Sequence, residues 1–315
     1  MEETVSAPPE VVNRPGRWKT FFHSIAENPV ILKELRKRMR GRAAYILLFA
    51  YLVIISVFMA LIYGSTVLGS MNTIRWSPQA RQMLGKGIFS TIVLTELLLI
   101  VLISPALTSG AIAAEREHQT LDLLRTTLLS TRSLVLGKLG SAFSYVFLLI
   151  FAAVPLQSLA FLIGGVGMPE LLISGLLMIV TAFFFCSLGL FFSSFLKRTS
   201  VANVAAYIMI VVSTVTMGVA FFAMAAVTSS SRHILSETAI SLVAWFFIST
   251  NPLLAAIISE TLLVDSQSLF FTNQGMFGST PFPLPSPWIP FTVIYLVTSI
   301  IMIILSIQFV KRPDR

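Results

Sequence analysis

The sequence predicts an all-α polytopic membrane protein with six transmembrane helices. Apolar residues make up 56% of the 315-residue chain, charged residues make up only 11%, and the mean hydropathy is +0.86. Apolar runs of about 20 residues, the length that a helix needs to cross a hydrocarbon core of roughly 30 Å, recur six times. Because these runs are continuous and do not alternate between apolar and polar residues, they favour helices over the strands of a membrane barrel.

The six predicted spans set the domain organisation. They cover residues 44–66, 87–110, 139–163, 170–195, 202–227 and 287–309. A transmembrane domain is therefore predicted over residues 44–309, with a cytoplasmic tail at 310–315. Before it, residues 17–43 are predicted to form an interfacial helix, and residues 1–16 have the composition of a disordered tail.

Lysine and arginine predict the orientation of the chain. Of the 22 such residues, 18 lie before the first span, between spans two and three, between spans four and five, or after the sixth. Basic residues next to spans are enriched on the cytoplasmic side, so both termini are predicted to be cytoplasmic. The net charge of +8 is explained by this topology and by contact with anionic lipid, so nucleic-acid binding is not predicted.

The segment before the first span has the pattern of an amphipathic helix. Asn28 and Pro29 suit the cap and the first position of a helix. The apolar residues of the segment form one stripe: Ile31, Leu32, Leu35 and Met39. The basic residues lie away from that stripe: Lys33, Arg36, Lys37 and Arg40. This pattern predicts a helix that lies on the cytoplasmic leaflet and leads into the first span.

A further apolar segment, residues 240–264, is interrupted by Asn251 and Pro252. Proline removes a helical hydrogen bond and disfavours helix in the residue before it. The segment is therefore predicted to form a broken pair of short helices, which are re-entrant, interfacial or extracellular. A seventh full span would also place the basic C-terminal tail outside, against the charge distribution.

Residues suited to catalysis or metal binding are sparse. His23, His118 and His233 are scattered over separate loops, and the single cysteine, Cys186, lies within the fourth predicted span. The chain lacks the GxxxxGK[ST] loop that cradles nucleotide phosphates. The sequence therefore predicts no catalytic residue, no metal site and no ATP site in this chain, which is not expected to be an enzyme.

Glu96 is the one ionisable residue deep within a predicted span. A carboxyl group inside a membrane is costly, and it marks a candidate translocation path for a substrate or a proton. The alternative is a protonated or hydrogen-bonded group that ties helices together. The sequence favours neither of the two.

A charged segment interrupts the apolar sequence between spans two and three. Its 28 residues, 111–138, are too few for a domain and too many for a simple turn. Acidic residues lie early and basic residues late, which suits the dipole of a helix that runs through "REHQTLDLLRTTLL", residues 116–129. Thr120, Leu121, Leu124 and Leu128 give that helix one apolar face. Such a helix favours docking of a partner protein, because its acidic residues would face an anionic leaflet unfavourably.

These segments resemble the ABC-2 type permease family, the membrane subunits of ATP-binding-cassette transporters. The resemblance rests on "NPVILKELRKRMRGR" before the first span, on "SPALTSGAIAAEREHQTLDLLRTTLLSTRSLVLGK" between spans two and three, and on the six-span arrangement. At Leu128 the chain departs from the family, which often has proline there.

The resemblance implies that the charged segment forms a coupling helix, which seats in a groove of a separate ATPase subunit. The implied contact residues are Glu115, Arg116, Glu117, Thr120, Leu121, Asp122, Leu124 and Leu128. ATP and Mg would be bound by that partner, and this chain would hold no cofactor. The resemblance also implies a second permease chain, identical or different, a location in the cytoplasmic membrane of a prokaryotic cell, and export of a substrate past the broken helices at residues 240–264.

Two other functions are compatible with the sequence. The chain could be a membrane scaffold or sensor whose cytoplasmic helix docks a different partner, without ATPase or transport. It could also be an ion-coupled transporter or an intramembrane enzyme built around Glu96, although no second intramembrane acid or histidine accompanies this residue. No pattern in the spans identifies a substrate.

Overall fold

The structure is a computed structural model that describes residues 34–36, 38–69, 78–120, 130–230, 237–266, 269–275 and 278–311. In these residues the helices are α1 (Arg42–Gly69), α2 (Pro78–Thr108), α3 (Ala113–Glu117), α4 (Thr131–Ile163), α5 (Met168–Phe195), α6 (Thr199–Ser230), α7 (Glu237–Thr250), α8 (Pro252–Ser266) and α9 (Trp288–Lys311). Two strands, β1 (Phe271–Gly275) and β2 (Gly278–Pro285), lie between α8 and α9.

Within the described residues, five helices are long and apolar enough to cross a membrane: α1, α2, α4, α5 and α9. The number is six if the bent pair α7 and α8 counts as one span. This confirms the predicted helical, multi-pass architecture. The predicted span at 202–227 lies within α6, whose part Thr199–Val215 is a shorter apolar helix, so a crossing by α6 stays a prediction.

Helix α5 lies at the centre of the bundle. It packs against α2, α4, α6 and α9. Leu177 and Met178 of α5 are buried in one apolar core with Ile92 of α2 and Leu149 of α4. Helix α1 is peripheral, and it exposes large apolar side chains such as Phe49, of which 70% is accessible. An apolar helix face of this kind fits contact with lipid.

Gly189 lets α5 approach α2 closely near the ends of both helices. A Cβ atom at Gly189 would overlap Oγ1 of Thr108 and would lie 3.0 Å from the Cα and the carbonyl oxygen of Pro105. Small residues permit such approaches between membrane helices. The contact fixes the end of α2, from which residues 109–120 continue.

The predicted break at residues 251 and 252 is confirmed. The helix axis bends by 115° at this break between α7 and α8. The side-chain oxygen of Asn251 accepts hydrogen bonds from the backbone N–H groups of Leu253 (3.0 Å) and Leu254 (3.2 Å). Asn251 therefore caps the N-terminus of α8, whose first residue is Pro252.

The hairpin of β1 and β2 was not predicted. Its strands are antiparallel, with an irregularity between Thr272 and Gln274. The indole N–H of Trp245 on α7 donates to the carbonyl of Pro285 at 2.6 Å, which ties the hairpin to the bent helices. Strand β2 contains prolines that precede the last span.

Candidate functional site

Residues 109–120, which follow α2, fold back against the ends of neighbouring helices. Residues 109–112 form turns, and α3 follows directly. Ile112 and Ala113 are fully buried, whereas residues 117–120 are exposed. The segment therefore has an anchored beginning inside the bundle and a free surface at its end.

Ser193 of α5 anchors the beginning of α3. Its hydroxyl oxygen accepts hydrogen bonds from the backbone N–H groups of Ile112 (2.8 Å) and Ala113 (3.0 Å). The first N–H groups of a helix have no partner within the helix, so an external acceptor satisfies them. Since Ser193 is itself fully buried, this contact joins α3 rigidly to the end of α5.

Two charged residues of α3 continue the attachment. The guanidinium of Arg116 donates to the carbonyl oxygen of Ser194 at 2.8 Å. The carboxylate of Glu117 accepts hydrogen bonds from the hydroxyl (2.7 Å) and the backbone N–H (3.3 Å) of Thr199, the first residue of α6. These two hydrogen bonds hold the pKa of Glu117 below its ordinary value. Helix α3 is thereby joined to both α5 and α6.

Lys138 of α4 supplies a third attachment. Its ammonium lies 2.7 Å from a carboxylate oxygen of Glu115 and 3.4 Å from one of Glu34. Only 5% of Lys138 is exposed. A buried ammonium is costly unless it is paired, so both carboxylates stabilise it. Lys138 joins α4 to α3 and to the helical residues 34–36 before α1.

Arg38 attaches the segment before α1 to the end of α2. Its guanidinium donates to the carbonyl oxygen of Leu107 at 2.8 Å. Burial lowers the pKa of Arg38, and the nearby carboxylate of Glu34 opposes this shift. Arg38 and Glu34 also line a cavity of about 410 Å³ together with Leu107 and Tyr145.

The predicted continuous helix over residues 116–129 is wrong at residues 118–120. Helix α3 ends at Glu117, and Gln119 has a φ of 56°, in the left-handed region. The N–H of Thr120 donates to the carbonyl of Glu115 (2.9 Å), and the N–H of Gln119 donates to that of Arg116 (3.0 Å). These two bonds form a Schellman end, which closes a helix at a left-handed residue.

The structure describes only some of the predicted ATPase-contact residues and some of the basic residues of the predicted interfacial helix. Glu115, Arg116, Glu117 and Thr120 lie together in and after α3. Four of the predicted contact residues lie outside the described residues: Leu121, Asp122, Leu124 and Leu128. Arg36 and Arg40 are exposed, and Lys33 and Lys37 lie outside the described residues.

The sequence pattern that defines the ABC-2 family transporter proteins matches residues 29–310 of this chain. The chain belongs to the ABC-2 transporter family. A comparison with curated proteins gives no match. The matched range includes residues 34–36 before α1, helices α1 to α8, all but the last residue of α9, and the site around α3.

The anchors of α3 in this ABC-2 protein were missed by sequence reasoning. Ser193, Thr199 and Glu34 are far from α3 in sequence, and nothing in the pattern pairs them with it. Ser193 carries a weak signal, because it is a polar residue near the end of an apolar run. Lys138 is the last residue of the family-like stretch between spans two and three, and its two carboxylate partners were not predicted.

Glu96 of the ABC-2 chain lies in the protein core. It is fully buried, and its carboxylate accepts a hydrogen bond from the side-chain amide of Gln157 on α4 at 3.0 Å. Its other oxygen has no hydrogen-bond partner among the described residues. Glu96 lines neither the cavity beside Arg38 nor the three cavities described below. This geometry favours a group that ties α2 to α4 over a group that lines a path.

A cavity of about 210 Å³ lies beside the break between α7 and α8. Its lining combines aromatic side chains, including Phe185 and Tyr295, with the polar residues Ser213, Thr250 and Asn251. The phenol of Tyr295 donates to the carbonyl of Thr250 at 3.0 Å. Tyr295 is therefore buried against the break.

Proposed function

We propose that the chain is the membrane subunit of an ABC exporter, and that a separate ATPase subunit docks on residues 117–128. The observation that carries this proposal is the attachment of α3 to three neighbouring helices. Ser193 and Ser194 of α5, Thr199 of α6 and Lys138 of α4 all bind α3 through polar contacts. A partner that displaces α3 would therefore act on three helices at once.

The division between buried and exposed residues supports docking at this position. Residues 112 and 113 are enclosed by the bundle, and exposure begins at Glu117. The exposed residues lead directly into the sequence whose apolar face was predicted to meet a partner. The basic residues around this end of the bundle support a cytoplasmic location, where an ATPase subunit would have access to ATP and Mg.

The rest of the mechanism follows from the family. Two permease chains, identical or different, form the translocation path in the cell membrane, and ATP binding and hydrolysis in the partner subunits drive the displacement. The bent pair α7 and α8, with its hairpin, caps the path on the outer side. The cavity beside the break gives that cap room to move relative to α9.

Copurification tests the proposal. The tagged chain is purified from its native membranes in mild detergent, together with a Glu117→Lys, Leu121→Asp double variant. The matched control introduces the same two residue types at the opposite end of α2, as Gln82→Lys, Met83→Asp, where Met83 is 76% exposed. Bound proteins are identified by mass spectrometry, and their ATPase activity is measured.

We expect an ATP-binding-cassette subunit with the wild type and with the control, and its loss with the double variant. Absence of such a subunit from folded wild-type protein would contradict the proposal and would favour the scaffold function. Retention of the subunit by the double variant would place the docking surface elsewhere.

A further inference from the structure

The end of the bundle opposite to α3 contains a second polar site. A small cavity of about 10 Å³ lies between α2, α5 and α8. A wider cavity of about 370 Å³ lies beside it, and Glu170 and Leu263 line both. The two cavities therefore form a small inner chamber and a larger approach to it.

Two carboxylates line the inner chamber. One oxygen of Glu260 accepts a hydrogen bond from the hydroxyl of Ser90 at 2.7 Å. One oxygen of Glu170 accepts from the backbone N–H of Gly167 at 2.9 Å. The second oxygen of each carboxylate has no hydrogen bond to another residue in the described part of the chain. Both oxygens remain able to bind a ligand.

Two serines complete the polar lining. Ser259 is only 2% exposed, and its hydroxyl has no hydrogen-bond partner among the described residues. A buried hydroxyl without a partner costs roughly 1–3 kcal/mol, so an occupant of the chamber would remove this cost. Ser174 donates to the carbonyl of Leu171 at 3.0 Å, which leaves its oxygen lone pairs available.

We propose that the inner chamber binds a small monovalent cation, either an inorganic ion or the ammonium head of an organic molecule. The polar lining consists of oxygen ligands, two of them from carboxyl groups, which suits hard cations and ammonium groups. The described residues contain no group of three histidine, cysteine or acidic side chains of the kind that holds a transition metal. The volume is near that of one water molecule, which excludes larger cations.

The charge balance selects a single positive charge. Lys86 is the one basic residue among those that line the two cavities, and it lies in the wider one. A bound cation favours the ionised form of both carboxylates. In that form the three charged groups carry a net charge of −1, which a monovalent cation neutralises. The bound cation would tie α8 to α5 and, through Ser90, to α2. This site does not depend on docking of an ATPase subunit.

Thermal unfolding of the purified full-length chain in lipid nanodiscs tests the site. The midpoint is measured against rising NaCl, KCl or methylammonium chloride, with choline chloride keeping the ionic strength constant. Choline is too large for the chamber and serves as the reference cation. We expect a saturable rise in the midpoint with at least one of the three smaller cations. A response to Na⁺ or K⁺ identifies an inorganic ion, and a response to methylammonium alone identifies an amine head.

Two variants locate the effect. Glu260→Gln is expected to abolish the rise, and Ser259→Ala is expected to weaken the apparent affinity roughly ten-fold, because each removes a ligand. The matched control is Ser299→Ala, at a buried serine of α9. This control is expected to keep the wild-type response.

A wild-type midpoint that is the same in all four salts would overturn the proposal and would leave the chamber filled by water. A rise of the midpoint in Ser259→Ala at the same cation concentrations as in the wild type would also overturn the proposal. If Glu260→Gln does not fold, Ser259→Ala provides the test.

Discussion

Lys138 connects three parts of the site: α4, α3 and the helical residues before α1. It lies on α4, is almost fully buried, and pairs with Glu115 of α3 and with Glu34 before α1. The two carboxylates are each partly exposed, and the ammonium is not. Loss of the lysine would therefore leave two like charges close together, with only partial hydration.

Lys138→Gln is expected to lower the free energy of unfolding by about 1–3 kcal/mol, because it removes a charged partner from both carboxylates. The matched control is Lys197→Gln, at an exposed position between α5 and α6, where the change is expected to stay within about 0.5 kcal/mol. Denaturant unfolding in detergent micelles measures both variants. Equal effects of the two substitutions would show that Lys138 does not hold the site together.

Gln119 ends α3 in a conformation that glycine adopts without strain. A left-handed φ costs an L-residue roughly 1–2 kcal/mol, and glycine avoids this cost. Part of the gain is lost because glycine gives up more backbone entropy on folding than other residues do. Gln119→Gly is therefore expected to raise the free energy of unfolding by up to about 1 kcal/mol. His118→Gly, at a residue with a φ of −85°, is the control and is expected to be destabilising. A loss of stability in both variants would contradict the Schellman end.

At the level of helices, the close approach of α5 and α2 depends on Gly189. Gly189→Ala would force a methyl group against Thr108 and Pro105, with an expected loss of about 1–3 kcal/mol in the free energy of unfolding. Gly175→Ala in the same helix is the control, because no atom lies within 4 Å of its added Cβ. The control is expected to be neutral or stabilising by up to about 1 kcal/mol. Equal changes in the free energy of unfolding for Gly189→Ala and Gly175→Ala would contradict the close approach of α5 to α2 at Gly189.

The membrane helices of this protein were predictable because the signal for each helix lies within its own segment of the sequence. A run of about 20 apolar residues is sufficient to indicate a membrane helix. The break between α7 and α8 was predictable for the same reason, since Asn251 and Pro252 determine it within two residues. The hairpin was not predictable, because its pairing brings together residues 271–275 and 278–285, and prolines make the second segment an unusual strand.

The candidate site was predictable in position but not in its attachments. The charge and length of residues 111–138 distinguish this segment from the spans around it. The end of α3 at Glu117 was missed because Gln119 carries no signal for a left-handed conformation. Ser193 and Thr199 were missed because their contacts to α3 connect residues about 80 positions apart. Glu260 could have been found, since it is an acidic residue in an otherwise apolar segment, as Glu96 is.

The two ends of the whole bundle carry different sites. One end holds α3 between α4, α5 and α6 and is proposed to receive the ATPase subunit. The opposite end holds the bent pair, the hairpin and the proposed cation chamber. The long helices α2 and α5, which pack closely against each other, connect these ends and would transmit a displacement between them.

Site-specific photo-crosslinking in cells tests whether an ATPase subunit docks beside α3. A photoreactive amino acid is placed at Thr120, which is exposed directly after α3, or at Leu162, which is 78% exposed near the opposite end of the bundle. The crosslinked partners are identified by mass spectrometry. We expect an ATP-binding-cassette subunit crosslinked at Thr120 and no such subunit at Leu162. Crosslinking of that subunit at Leu162, or its absence at Thr120 in a membrane-inserted chain, would show that the ATPase does not dock beside α3.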